Sequence, residues 1–294
     1  ALTSRPTFDV MRHMLVGNNI GFCAMSQVVL EQPSFSQLFC TRLLLNDRSL
    51  LSNRGRANLF PLYLYDTALQ NQKTMDLGAR RPNLSPAFIA DVEARLGLRF
   101  VQTSEVLETS EVFTPEDIFH YIYAIFHAPT YRQRYAEFLK IDFPRLPLTR
   151  DVKLFRALSA LGAQLVALHL LESPVLDKLA TRFPVAGSNE VEKITYAEEW
   201  RDASGKTHTG CVFINKTQFF EAVAPDIWNF HIGGYQVLDK WLKDRKGRAL
   251  SYDDITHYQK IVVTLKKTMR LMKEIDATIP KWPSGSCYRP FPVT

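Results

Sequence analysis

The sequence lacks the usual starting points for chemistry. Its four cysteines, Cys23, Cys40, Cys211 and Cys287, stand far apart with no C-x-x-C pair, which argues against a zinc ribbon or a disulfide framework and reads as buried thiols in a reducing compartment. No apolar run approaches the roughly 20 residues of a membrane helix, and no charged-then-apolar leader opens the chain. A cytoplasmic location is therefore expected. The chain begins at Ala1 without an initiator Met, as a processed protein or an excised fragment would.

The catalytic signatures are missing as well. There is no G-x-x-x-x-G-K-[ST] phosphate loop, no G-x-S-x-G nucleophile elbow, and no pair of histidines at i, i+4 with a glutamate between them. The adjacent glycines Gly233-Gly234 lack dinucleotide-site spacing and read as a tight turn. No Asn-Pro-Pro-Tyr or Asp-Pro-Pro-Tyr motif of an amino-methyltransferase occurs, nor its Phe counterpart. Glu190-Val191-Glu192-Lys193 is the nearest approach to a Mg²⁺ nuclease motif, but without a suitable upstream aspartate it reads as a solvated strand edge. His120 and His127 could share a helix face, and His127, before Ala128-Pro129, reads as a helix-end cap.

What remains is a basic, well-filled chain. It has 294 residues, 46% hydrophobic, enough to bury roughly three quarters of its unfolded surface on folding. Its net charge of +6 and pI near 9.1 favour an anionic partner, because excess Lys and Arg attract phosphate before any specific contact forms.

Short apolar runs over 20–29, 35–45 and 59–65 alternate with polar turns and predict strands. The polar stretch 67–82 reads as a linker running into a helix. Ser85-Pro86 then predicts a capped helix with Phe88, Ile89, Val92 and Leu96 facing a core and Gly97 at its end. Thr114-Pro115-Glu116-Asp117 is a stronger start, with a capping Thr, Pro at the first helical position and acids in the first turn. Helices are also expected over 131–139, 152–171, 239–242 and 251–275. Prolines keep 142–148 extended, and strands over 191–200 and 210–214 flank a hairpin turn at 202–206.

Three stretches carry a family resemblance. The first is Arg12-His13-Met14 with Gly17-Asn18-Asn19-Ile20-Gly21, followed by Ser52-Asn53-Arg54-Gly55-Arg56 and Phe60-Pro61-Leu62-Tyr63-Leu64-Tyr65. The second runs from Phe113-Thr114-Pro115-Glu116-Asp117 through His127-Ala128-Pro129-Thr130-Tyr131-Arg132 to Asp142-Phe143-Pro144-Arg145-Leu146-Pro147. The third is Ile232-Gly233-Gly234-Tyr235 with Lys240-Trp241-Leu242-Lys243-Asp244-Arg245-Lys246-Gly247-Arg248. In order and spacing they resemble the C-terminal target-recognition region of bacterial type ISP and type IIG-like single-chain restriction-modification enzymes.

The resemblance implies a non-catalytic module that binds duplex DNA so that an adenine methyltransferase elsewhere in the polypeptide can flip out its base. Methyltransferase parts, and nuclease or motor parts, would be its covalent partners. S-adenosylmethionine would bind in the missing methyltransferase part, and no cofactor is expected in this fragment. The expected fold is α+β: a β-rich DNA-reading part with DNA-facing loops over 1–82, a helical scaffold over 83–185, and a hairpin with C-terminal helices over 186–294. Together they could form one composite domain.

Base readout needs Arg, Asn and Gln on loops or strands. The candidates are Arg5, Arg12, His13, Asn18, Asn19, Gln27, Arg42, Arg48, Asn53, Arg54, Arg56 and Asn58. The turn 52–58 is expected to approach DNA, since Gly55 lets the backbone come close, although a solvated basic turn has the same composition. Tyr131 with Tyr135 and Trp241 with Leu238 and Leu242 read as packing residues, and Lys243, Arg245, Lys246 and Arg248 as an exposed helix end. The alternative is a protein-interaction or scaffold domain with an incidental basic surface.

Overall fold

The computed structural model describes residues 8–15, 18–25, 36–45, 57–65, 80–102, 111–232, 234–279 and 287–288. The N-terminal elements are α1 (Phe8–Met11), a 3-10 turn over Arg12–Met14, and strands β1 (Gly21–Met25), β2 (Leu38–Thr41), β3 (Ala57–Pro61), β4 (Tyr63–Tyr65) and β5 (Arg80–Pro82). The central elements follow as α2 (Pro86–Leu96), β6 (Arg99–Phe100), β7 (Val112–Phe113), α3 (Pro115–His127), α4 (Pro129–Arg134), α5 (Ala136–Leu139), β8 (Leu146–Pro147) and α6 (Val152–His169). The rest comprises β9 (Thr195–Arg201), β10 (Thr207–Phe213), β11 (Phe219–Phe220), α7 (Pro225–Trp228), β12 (His231–Ile232), β13 (Tyr235–Gln236), α8 (Val237–Lys243), α9 (Tyr252–Thr278) and β14 (Cys287–Tyr288). The fold class is α+β.

Two compact units divide these elements: Ala1–Leu170 with Leu271–Thr294, and Leu171–Arg270. The first unit holds residues 1–82 together with 83–170. In the first unit, β1 is the centre of an antiparallel sheet ordered β2-β1-β3, and all five of its residues are buried. Phe22 of β1 meets Phe119, Tyr123 and Phe126 of α3 edge-on at 5.7, 5.9 and 5.9 Å, a favoured aromatic geometry. One core therefore joins the β-rich part to the helical part.

The strongest local signals produce the helices they predicted. Ser85 Oγ accepts from Phe88 N, and Gly97 closes α2 in the left-handed region at φ +66°, where a side chain is disfavoured. At α3, Thr114 Oγ1 accepts from Asp117 N while Asp117 Oδ2 accepts from Thr114 N, a reciprocal capping box. Helices α3 and α6 approach closely at Gly162, where a Cβ would lie 1.9 Å from the His120 carbonyl oxygen. The helix expected over 131–139 is two short helices broken at Tyr135, whose φ of −106° and ψ of 18° are not helical. The end of the expected linker, 80–82, is β5, paired antiparallel with β4.

The second unit contains the expected hairpin, with β9 and β10 in the antiparallel sheet β11-β10-β9. Asp202 Oδ1 accepts from Ser204 N and Lys206 N across its turn. The core includes Val191, Val212, Phe220, Leu238, Leu242 and Tyr258. Val191 is buried, whereas Glu192 and Lys193 are exposed and outside any regular strand. The short hairpin β12–β13 flanks the expected tight turn, of which Gly234 has φ +91° and Gly233 lies outside the described residues.

Candidate nucleic-acid interface

The register of the first sheet sorts the candidate DNA contacts. Gly21 pairs with Thr41 and with Pro61, while Met25 pairs with Ala57. Asn18, Asn19 and Arg42 accordingly lie at the Gly21 end of the sheet, and Asn58, paired with Ala24, lies toward the other. Arg5, Gln27, Arg48, Asn53, Arg54 and Arg56 lie outside the described residues, as does all of the turn 52–58 before Ala57.

Asn19 is only 2% exposed, and its amide is fully used inside the unit. Nδ2 donates to the carbonyls of His13 (2.9 Å) and Tyr63 (2.8 Å), while Oδ1 accepts from the backbone N–H of Ile20 (2.9 Å) and Tyr63 (3.2 Å). Two donors and two lone pairs exhaust a carboxamide. His13 is buried, and its Nδ1 accepts from Tyr65 N at 3.0 Å. Turning either side chain outward toward a groove would leave buried backbone groups of His13, Ile20 and β4 unpaired, at a cost of about 1–3 kcal/mol each. They fix the 3-10 turn and the entry to β1 against β4.

What they fix is a presented surface. Asn18, beside the buried clip, is exposed, and Arg12 and Arg42 are half-buried. Arg42 Nη1 donates to the Asn19 carbonyl at 3.5 Å, at the limit of a useful bond. Beyond it, Leu43 and Leu44 are exposed. Sequence reasoning took this stretch only as the tail of a strand. Exposed Arg80 and Arg81 of β5 lie on the same unit, with Arg80 stacked 4.1 Å over the Tyr63 ring. Tyr63 Oη donates to Glu116 Oε1 at 2.6 Å. Across 18–25, 36–45, 57–65 and 80–85 there is no Asp or Glu, so the charge of these segments is uniformly basic.

Several other basic and aromatic groups are buried or paired, and the basic end of α8 is largely exposed. Arg132 is buried and its Nε donates to the Phe126 carbonyl at 2.8 Å; burial pushes its pKa down to about 10. Tyr131 packs on Phe126 and on Tyr135, with ring centroids 5.2 and 4.9 Å apart. Arg245 lies 3.5 Å over Trp241 and pairs with Asp254, and Lys243 pairs with Asp239. Lys246 and Arg248 are exposed at the end of this segment.

Burial shifts several of the described titratable groups. His127 Nδ1 donates to the Tyr123 carbonyl at 2.8 Å, so it ends α3 as a neutral donor; burial, then Arg132 and His169, depress its pKa well below the usual imidazole range. His169 Nδ1 accepts from Tyr123 Oη at 2.6 Å, and burial followed by Arg132 lowers its pKa to about 4. Burial, and then Cys40, pushes the Cys23 thiol up; burial and then Glu221 push Cys211 up to about 11. Such thiols are poor nucleophiles. Among the described residues no three His, Cys, Asp or Glu side chains group to hold a metal, and no helix is long and apolar enough to cross a membrane.

The comparisons bear on this arrangement. In fold the chain is similar to a nuclease-deletion mutant of the Type ISP restriction-modification enzyme LlaGI in complex with a DNA substrate mimic, with TM-score 0.57 and 14% identity, covering 92% of this chain and 22% of that one. It is similar to the DrdV–DNA complex, with TM-score 0.56 and 20% identity over 92% of this chain and 25% of that one. The ATP-dependent Type ISP restriction-modification enzyme LlaBIII bound to DNA is also similar, with TM-score 0.60 and 15% identity over 91% of this chain and 16% of that one. The chain thus spans a quarter or less of the length of these relatives. No curated protein sequence matches. The model of the Type ISP C-terminal specificity domain, however, matches residues 1–274, and with that match over nearly its whole length the chain belongs to the Type ISP C-terminal specificity domain family.

Proposed function

We propose that this chain is the module that reads the duplex DNA target for a restriction-modification polypeptide, directing an adenine methyltransferase and endonuclease carried by other parts of that polypeptide. The observation that carries the reading is the specificity-domain match over residues 1–274. It is supported by the distribution of charge: residues 1–90 hold nine Lys and Arg against five Asp and Glu, a balance suited to phosphate contacts around a reading surface. Asn18, Arg12 and Arg42 at the Gly21 end of the sheet, and Asn58 toward the other end, are the described side chains assigned to DNA. Arg5, Gln27, Arg48, Asn53, Arg54 and Arg56 are assigned with them from the sequence.

S-adenosylmethionine is placed outside residues 1–294. This follows from the specificity-domain match, which assigns residues 1–274 to target recognition. The reading also places the protein in the cytoplasm, with its DNA.

The test is a fluorescence titration of labelled random duplex DNA at 50 and 200 mM salt. Six phosphate contacts would lower affinity about a thousandfold across that range. No binding at the lower salt would overturn the proposal.

A further inference from the structure

The Gly21 end of the first sheet carries a feature that phosphate binding does not use. Leu43 is 75% exposed and Leu44 46%, and Leu15 at the same end is also exposed. Scattered exposed leucines need no explanation, but two adjacent exposed leucines just beyond the end of a strand call for one.

The backbone at this point is tied by local hydrogen bonds. Thr41 Oγ1 accepts from Leu43 N at 2.9 Å and lies 3.3 Å from the Leu43 carbonyl, closing a side-chain turn directly after β2. Arg42 Nη1 reaches the Asn19 carbonyl, and Asn19 is locked by its four hydrogen bonds. The leucines therefore project from a braced turn beside the exposed amide of Asn18.

We propose that Leu43 and Leu44 form an apolar reading tip that enters a groove of duplex DNA, contacting thymine methyl groups or wedging against a base step. The inference rests on the proposed DNA-reading function. Phosphate positions a protein, whereas discrimination needs contacts with base edges, and apolar side chains supply these through the thymine methyl or by partial unstacking. The charge around the tip selects this partner. In the described segments 18–25, 36–45, 57–65 and 80–85 every charged side chain is an arginine, a local balance that attracts a polyanion.

The experiment selects bound sequences from a randomised duplex library with the full polypeptide, then measures affinity for the selected duplex and for random duplex. Three variants are compared with the wild type: Leu43→Ala with Leu44→Ala, Leu43→Ala alone, and Thr41→Val, which loosens the turn and leaves both leucines. Truncating exposed leucines leaves the fold intact, which the thermal midpoint verifies. The expected result is at least a tenfold loss on the selected duplex for the double variant, a smaller loss for the other two, and random-duplex affinity within twofold of wild type.

Equal losses on both duplexes, or unchanged discrimination, overturn the proposal. So does a lowered thermal midpoint of the whole polypeptide with discrimination intact, the result expected if the leucines pack on another protein segment. Failure of the wild type to enrich any sequence would remove the DNA-reading function itself, and is thereby distinguished from failure of the tip alone.

Discussion

Replacing Asn19 tests whether the start of the first sheet is held from within. Asn19→Ala removes the partner of four backbone groups: the carbonyls of His13 and Tyr63 and the N–H groups of Ile20 and Tyr63. At about 1–3 kcal/mol for each buried orphan, and with water entering the small cavity to relieve some of them, the loss is about 4 kcal/mol. That is a large share of a typical domain stability of about 5–15 kcal/mol.

Asn19→Asp keeps the shape and reverses part of the chemistry. One carboxylate oxygen retains the two N–H donors, while the other faces two carbonyls in place of the lost amide donor. A buried charge without a matching donor raises the native pKa of the introduced carboxyl group above its unfolded value of about 3.9. Between those two values the native state binds more protons than the unfolded state, so stability rises as pH falls. The destabilisation is full above the native pKa and is relieved toward pH 4. Arg42, on the Asn19 carbonyl, offsets part of the charge, so the alanine variant isolates the hydrogen-bond loss.

The assay is urea unfolding of both variants at pH 7 and pH 5, with hydrogen exchange at Ile20 and Tyr63, whose amides lose protection first. Variants within about 0.5 kcal/mol of wild type, a range usual for exposed sites, would refute the internal role and return Asn19 to the candidate DNA contacts.

Gly162→Ala places a Cβ against the His120 carbonyl and forces α3 from α6. A loss of about 3 kcal/mol, at the upper end for overpacking, should appear in denaturant titration, and a wild-type midpoint would show that the helices part freely. The histidines should titrate in opposite directions by NMR. His169, lowered to about 4 by burial and then Arg132, and His127, also lowered, should stay neutral at pH 6; their contribution to stability is present above pH 6.5 and is lost as pH falls through their native values. His208, raised first by its bond to Glu221 at 2.7 Å and then by Asp202, should remain protonated above pH 6.5; its contribution is present below that pH and is lost as pH rises through its native value. A His127 or His169 titration at or above 6.5 would contradict the first assignment, and a His208 titration below 6.5 the second.

Local chemistry was legible without the fold. Ser85, Thr114 and Ser251 announce helix starts because a cap bonds to an N–H two or three residues onward, and Ser251 Oγ does accept from Asp254 N. Gly97 ends α2 for an equally local reason. The apolar runs located β1, β2 and the segment of β3 and β4, and the three spaced motifs named the family. The break at Tyr135 escaped because the apolar spacing continues across it.

The candidate site divides on the same line. That the N-terminal part is rich in Arg and Asn is a property of the sequence, but Asn18 and Asn19 are chemically identical there. Only tertiary structure distinguishes them, since Tyr63, 44 residues away, brings its N–H and C=O to one amide and leaves the other in solvent. The exposure of Leu43 and Leu44 is of this kind too: an apolar run predicts burial, and only the folded chain, in which β2 ends at Thr41, leaves these two facing water. Hydrogen-bond inventory and hydrophobicity belong to the residue and are fixed by the sequence, whereas their satisfaction belongs to the contacts that only the folded chain assembles.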